Sequence, residues 1–115
     1  MSVLLVGLGG VAGVLARYGL SVWIPGLWTI VGINLAGSFV LGVLTHAGTG
    51  LSPDVRNALG IGFLGGFTTF STFTVQTVLE ADGGRPGRAA AYLGLSVVGG
   101  LAAAVAGYAV GRAVA

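Results

Sequence analysis

The sequence predicts an all-α membrane domain of four helices, and three observations predict it. Only 7% of the 115 residues are charged while 55% are hydrophobic, and the mean hydropathy is +0.99. A soluble domain of this length needs far more charge on its surface. The apolar residues gather into four stretches, each close to the roughly 20 residues that carry a helix across a hydrocarbon core about 30 Å thick. Glycine, 23 of the 115 residues, has no collagen period and recurs at four-residue spacing, the pattern of closely packed membrane helices. One domain, residues 1–115, is expected.

The first span is expected at about 3–22. The opening lacks the basic region and cleavage site of a secretory leader, so this stretch is expected to stay as a span. Ile24-Pro25-Gly26 punctuates it, and Trp23 and Trp28 flank the turn at the depth where such rings collect. The second span is expected at about 28–46, with a loop at 47–52. Ser52-Pro53-Asp54 is a helix start, with Ser52 as cap and Pro53 in the first turn. The third span follows at about 55–79. Residues 81–87 (ADGGRPG) are a loop by composition, and the fourth span is expected at about 89–112.

Charge excludes several functions. Net charge is +2, from five arginines against three acids, too small and scattered for a nucleic-acid surface. Without cysteine there is no thiol or disulfide chemistry. Asp54, Glu80 and Asp82 all fall at span ends, whereas proton-coupled carriers usually keep an acid or histidine inside the bilayer. His46 lies near the end of the second span and reads as interfacial. No catalytic triad, metal-ligand cluster or phosphate loop is present, so an enzyme is not expected. Arg56 and Arg112 fall on one side of a four-span topology and Arg17, Arg85 and Arg88 on the other. That near-balance is compatible with insertion both ways, and hence with an antiparallel homodimer. Small-residue seams at Gly9/Gly13, Ala12/Ala16, Gly62/Gly66 and Gly99/Ala103/Gly107/Gly111 pack helices too tightly for an axial pore. A conduit is expected between subunits.

The third span carries the one anomalous run, GFLGGFTTFSTF, residues 62–73. Paired Gly65-Gly66 weaken a helix by about 1 kcal/mol each relative to alanine, and a break is expected near 65–69. The hydroxyls of Thr68, Thr69, Ser71 and Thr72 can serve the freed backbone groups. Released carbonyls suit a hard cation such as Na⁺; the competing reading is a kink with satisfied carbonyls and no ion. Phe70 and Phe73 share a face, and their positive ring edges can touch an anion weakly, although phenylalanine in a membrane helix is ordinarily filler. Asn34 and Ser38, Tyr92 and Ser96, and Gln76 are further donors for a polar path. For Ser38 and Ser96 a hydroxyl bonded back to its own helix is the stronger single reading. Asn34 marks an interface or a pathway, since a buried amide needs a partner across helices. Arg17 reads equally as a snorkelling anchor or as the cation of an anion-gathering vestibule.

With these residues in place, the chain resembles a known family, the Fluc (CrcB-type) fluoride channels of microbes. The resemblance covers essentially the whole length and rests on GFLGGFTTFSTF at 62–73, GGVAGVLARY at 9–18 and NLAGSFVLG at 34–42. It implies a dual-topology homodimer with two antiparallel pores in the plasma (inner) membrane of a prokaryote. The partners implied are fluoride, the lipid bilayer and a second copy of the chain, with no nucleic acid. A structural Na⁺ at the dimer centre would be held by the backbone carbonyls of Gly65 and Thr68. Phe70 and Phe73 match the aromatic pair of the fluoride path, Asn34, Tyr92, Ser96 and Thr72 its polar lining, and Arg17 the vestibule arginine. The sequence departs from the family pattern at Thr29-Ile30, at Gly100 where related channels carry serine, and at Gln76 where an acid is often found. The alternative, a small four-span multidrug-type cation transporter, needs an acid in the first span, which has none.

Overall fold

A computed structural model describes all residues, 1–115, and is entirely helical. Helix α1 runs Ser2–Trp23 and α2 Leu27–Ala47, followed by a 3₁₀ turn at Gly48–Gly50. The third hydrophobic segment is built in pieces: α3 (Pro53–Asn57), a π-helical stretch (Ala58–Leu64), α4 (Gly65–Phe67) and α5 (Ser71–Asp82). Helix α6 spans Pro86–Val114. Four segments are long and apolar enough to cross a membrane: Ser2–Trp23, Leu27–Gly50, Pro53–Asp82 and Pro86–Val114.

Local chemistry sets the ends. Gly26 takes φ +126°, which side-chain-bearing residues rarely adopt, and lets α1 turn back into α2. The Thr29 hydroxyl closes that turn by donating to the Ile24 carbonyl at 2.6 Å. Ser52 Oγ accepts from Val55 N at 3.3 Å and Pro53 opens α3, as its missing N–H and fixed φ favour. The loop expected at 81–87 shrinks to Gly83–Arg85: α5 continues through Asp82 and α6 begins at Pro86 rather than at 89. Proline suits a first helical position, and Gly84 at φ +79° makes the reversal in one residue. Gly65 and Gly66 are helical, so the chain does not leave the helix at the glycine pair. Thr68 is the first residue to do so, at φ −88°, ψ 159°.

Glycine decides the packing. A methyl group on Gly107 or Gly111 of α6 would collide with the carbonyls of Phe39 and Val43 on α2, and one on Gly42 would meet Ala104 of α6. On the other side of the bundle, Gly9 and Gly13 of α1 lie against the backbone of Ala58 and Phe63, and Gly62 and Gly66 lie against Val6 and Gly10. Three of the expected seams are thus real contacts, while Ala12 is exposed. The buried apolar cluster is small: Leu27, Ile30, Val31, Ile33, Phe73 and Tyr92. It lies between α2, α5 and α6, beside the non-helical residues 68–70.

These contacts predict opposite fates for two glycines of one helix. Gly107→Ala overpacks the α2–α6 seam and should cost about 1–3 kcal/mol. Gly94→Ala meets nothing within 4 Å and should be neutral or slightly stabilising. Heating each variant in detergent and measuring the soluble folded fraction compares them; equal losses would refute the seam.

Candidate functional site

A helix that ran on through residues 68–70 would bond Thr69 N to the Gly65 carbonyl, Phe70 N to Gly66 and Thr72 N to Thr68. Each of these bonds has been replaced or forestalled. Thr69 N donates to Asn34 Oδ1 at 2.8 Å, and Asn34 Nδ2 donates back to the Thr69 carbonyl at 2.9 Å. The amide side chain thereby pairs with one residue's backbone as a neighbouring β-strand would. Thr72 N donates to Thr69 Oγ1 at 3.3 Å, which caps α5. Arg17 Nε donates to the Gly66 carbonyl at 3.1 Å. Thr68 stays attached to the preceding turn through its N–H and hydroxyl, both on the Leu64 carbonyl at 3.0 and 2.9 Å. The carbonyls of Gly65, Phe67 and Thr68 are left without their helical donors.

The motif on α2 explains why this arrangement forms there. Asn34 presents the amide, and Gly37, one turn on, leaves the space that the Thr68 methyl occupies. Asn34 is half-buried and its hydrogen-bonding groups are directed at backbone. The spacing argument, that a buried amide needs a partner across helices, is answered by Thr69.

Two cavities flank this segment. One, of about 320 Å³, is lined by Asn34, Gly65, Thr68, Phe70, Phe73 and Ser96 among others. Ser96 Oγ is buried on its wall with no hydrogen-bond partner. The expected back-bond to its own helix is not made. Phe70 and Phe73 meet edge-to-face, centroids 5.8 Å apart at 69°. Phe73 is 5% exposed and Phe70 76%, so only the second ring is held within this chain.

The other cavity, of about 610 Å³, is lined by Arg17, Tyr18, Thr72, Gln76, Glu80 and Arg88 among others. Thr72, grouped by the resemblance with Asn34, Tyr92 and Ser96 as polar lining, lines this second space instead. Tyr92 lines neither cavity. It is fully buried, its ring 5.4 Å from Phe73 and 6.1 Å from Trp28, and its hydroxyl donates to Gln76 Oε1 at 2.9 Å. Phe73, Tyr92 and Gln76 thus form a wall with one cavity on each side. Of the nine residues singled out by sequence, six line the first cavity, two line the second, and Tyr92 joins the two from behind.

Sequence reasoning missed two features. The seven-residue π-helical stretch carries no strong residue signal; its trace is the glycine spacing that lets α1 approach it. The Arg17–Gly66 bond was not foreseen either, although an arginine six residues inside the end of α1 was a signal that something at depth accepts it. His46 packs on Tyr108, ring centroids 4.8 Å apart, away from both cavities.

Residues 4–108 match the family described as CrcB-like protein, Camphor Resistance (CrcB). Among curated proteins the chain is similar to "Fluoride-specific ion channel FluC 2" of Moorella thermoacetica, 45% identical with 94% of each chain covered. It is also similar to "Fluoride-specific ion channel FluC" of Stutzerimonas stutzeri, 42% identical over 90% of this chain and 91% of that one. A Thermus thermophilus protein of the same name is 40% identical over 96% and 93%.

If Asn34 holds the non-helical segment open, Asn34→Leu removes both bonds to Thr69 and leaves a buried N–H and carbonyl unpaired. The expected cost is about 1–3 kcal/mol. Amide exchange at Thr69 should accelerate by about tenfold or more, with α1 amides unaffected. Unchanged exchange at Thr69 would show that Asn34 is not the clamp.

Proposed function

This chain belongs to the CrcB-like family, and from that premise we propose that it is a fluoride-selective channel that lets the anion leave the cytoplasm passively. One observation carries the reading: peptide carbonyls at Gly65 and Thr68 lose their helical donors beside a cavity walled by Phe70, Phe73 and the unpartnered Ser96 hydroxyl. In hydrocarbon such carbonyls must be covered by protein, ion or water. We read the third span as a helix broken at residues 68–70, with its open side covered by a second copy of the chain.

In that dimer Gly65 and Thr68 of both copies would hold a structural Na⁺, a hard cation suited to carbonyl oxygen. The donor set fits, being backbone oxygen freed of internal hydrogen bonds. Bound there, the cation would supply positive charge close to the anion path and tie the copies together. An antiparallel arrangement is supported by charge. Arg17, bonded to Gly66 inside the bundle, drops out of the loop count, leaving Arg56 and Arg112 on one side against Arg85 and Arg88 on the other. With no bias, both orientations insert. The setting proposed is the inner membrane of a prokaryote, crossed four times.

The path for fluoride joins the two cavities past the Phe73–Tyr92–Gln76 wall. Arg17 supplies positive charge on one side; ring edges of Phe70 and Phe73 and the Ser96 hydroxyl supply weak, separate contacts on the other. Several weak sites let an ion enter without trapping it. The four-span cation-transporter reading finds no observation in its favour.

Purified protein in liposomes loaded with fluoride or chloride should release fluoride within seconds and retain chloride. Phe70→Ile, which removes the exposed ring edge, should slow release by roughly tenfold, the effect of about 1.4 kcal/mol, while the protein still elutes as a dimer. Unchanged flux would remove that ring from the path. Replacing Na⁺ by a large organic cation throughout should weaken the dimer or stop release; indifference would leave a kink without an ion.

A further inference from the structure

The larger cavity has two charged groups at its rim, Arg88 and Glu80, that the path above does not use. It is bounded by two guanidinia, Arg17 and Arg88, and a single carboxylate, Glu80. The two cations sit at different depths. Arg17 lies six residues before the end of α1, about 9 Å along the helix, whereas Arg88 is in the first turn of α6, at the same end of the bundle.

Glu80 cannot neutralise both of its arginines. Its side chain is 15% exposed, and one oxygen, Oε2, faces two guanidinia. It accepts a hydrogen bond from Arg85 Nε at 2.6 Å and lies 3.6 Å from Arg88 Nε, beyond hydrogen-bond length. Arg85 also reaches the Gly83 carbonyl at 3.5 Å, so it is committed to the loop and does not line the cavity. Arg88 does line it, is half-exposed, and holds only the weaker share of the carboxylate. The start of a 29-residue helix adds positive potential at the same point. The other wall groups, Tyr18, Ser21, Thr72 and Gln76, are neutral donors.

We propose that Arg88 is the outer collecting site of this cavity for small inorganic anions, with Glu80 as a tether that positions it and moderates its charge. An anion arriving at the rim exchanges the looser Glu80–Arg88 contact for its own and passes inward to Arg17. Such a site raises the local anion concentration through the field it makes, and its effect fades as salt screens that field. The proposal rests on the channel reading for its purpose but not for its test.

The chain has no cysteine, so Ser21→Cys places a single reporter thiol on the cavity wall. Its modification rates by an anionic (sulfonatoethyl) and a cationic (trimethylammonioethyl) methanethiosulfonate report the local potential whether or not fluoride is conducted. One charge removed at about 10 Å changes each rate roughly twofold in opposite senses. Adding Arg88→Gln should therefore lower the anionic-to-cationic ratio about fourfold at low ionic strength, and the difference should vanish at high salt. Arg88→Lys should keep the ratio, and Glu80→Gln should raise it. Loss of a merely structural ion pair would move Arg88→Gln and Glu80→Gln in the same direction, which overturns the proposal, as does a ratio that ignores Arg88→Gln. If the wild-type protein passes no fluoride, the channel reading falls while the ratio still judges Arg88.

Discussion

Peptide groups at membrane depth must be paired, and the whole site follows from how this chain pairs three residues that are not helical. The Asn34 amide answers both polar groups of Thr69; the Thr69 hydroxyl answers the first turn of α5; Arg17 answers Gly66. Without these substitutes the segment would revert to helix, because each unpaired group in hydrocarbon costs several kcal/mol. The bonds that hold residues 68–70 out of helical geometry therefore come mainly from side chains of the neighbouring helices α1 and α2. The positions bear this out: Gly65 and Gly66 remain helical, and the departure begins at Thr68, where Asn34 and Gly37 of α2 act.

Much of this was legible in the residues. The four spans, the Ser52 cap and the α2–α6 glycine seam follow from hydropathy, capping chemistry and small-residue spacing, all local signals. The run at 62–73 contains the three residues, 68–70, that are not helical, although the glycine pair itself stays helical. What could not be read was which hydrogen bonds replace the helical ones, because that depends on the rotation of three other helices about their axes. Asn34 read as a residue with an unspecified partner, and only the packed bundle supplies Thr69. Arg17 was balanced between anchor and vestibule; the packed bundle gives it the Gly66 carbonyl as partner and a place on the second cavity's wall. Ser96 was expected to bond back to its own helix, as Thr45 and Thr77 do, and instead has no hydrogen-bond partner.

The role of glycine differs between the two sides of the bundle. Along α2 and α6 it permits a continuous seam of two regular helices, glycine α-carbon against the facing carbonyl. Along α1 and the third span it permits contact with a stretch that is itself irregular, π-helical from Ala58 to Leu64. A π-helical stretch widens the backbone and shifts the register of every residue beyond it by a fraction of a turn. The irregularity lies two residues before Gly66, whose carbonyl Arg17 reaches.

Gln76 shows how the two cavities are kept electrostatically distinct. Its carbonyl oxygen accepts the Tyr92 hydroxyl, a duty that a carboxylate would perform as well or better. A carboxylate there, however, would place a second negative charge on a wall that already holds Glu80, and would cancel the excess of Arg17 and Arg88. The neutral amide fixes Tyr92 against Phe73 while leaving that excess intact. The hydrogen bond that positions the aromatic wall is thus made by an uncharged acceptor, which leaves the charge of the cavity lining to Arg17, Arg88 and Glu80.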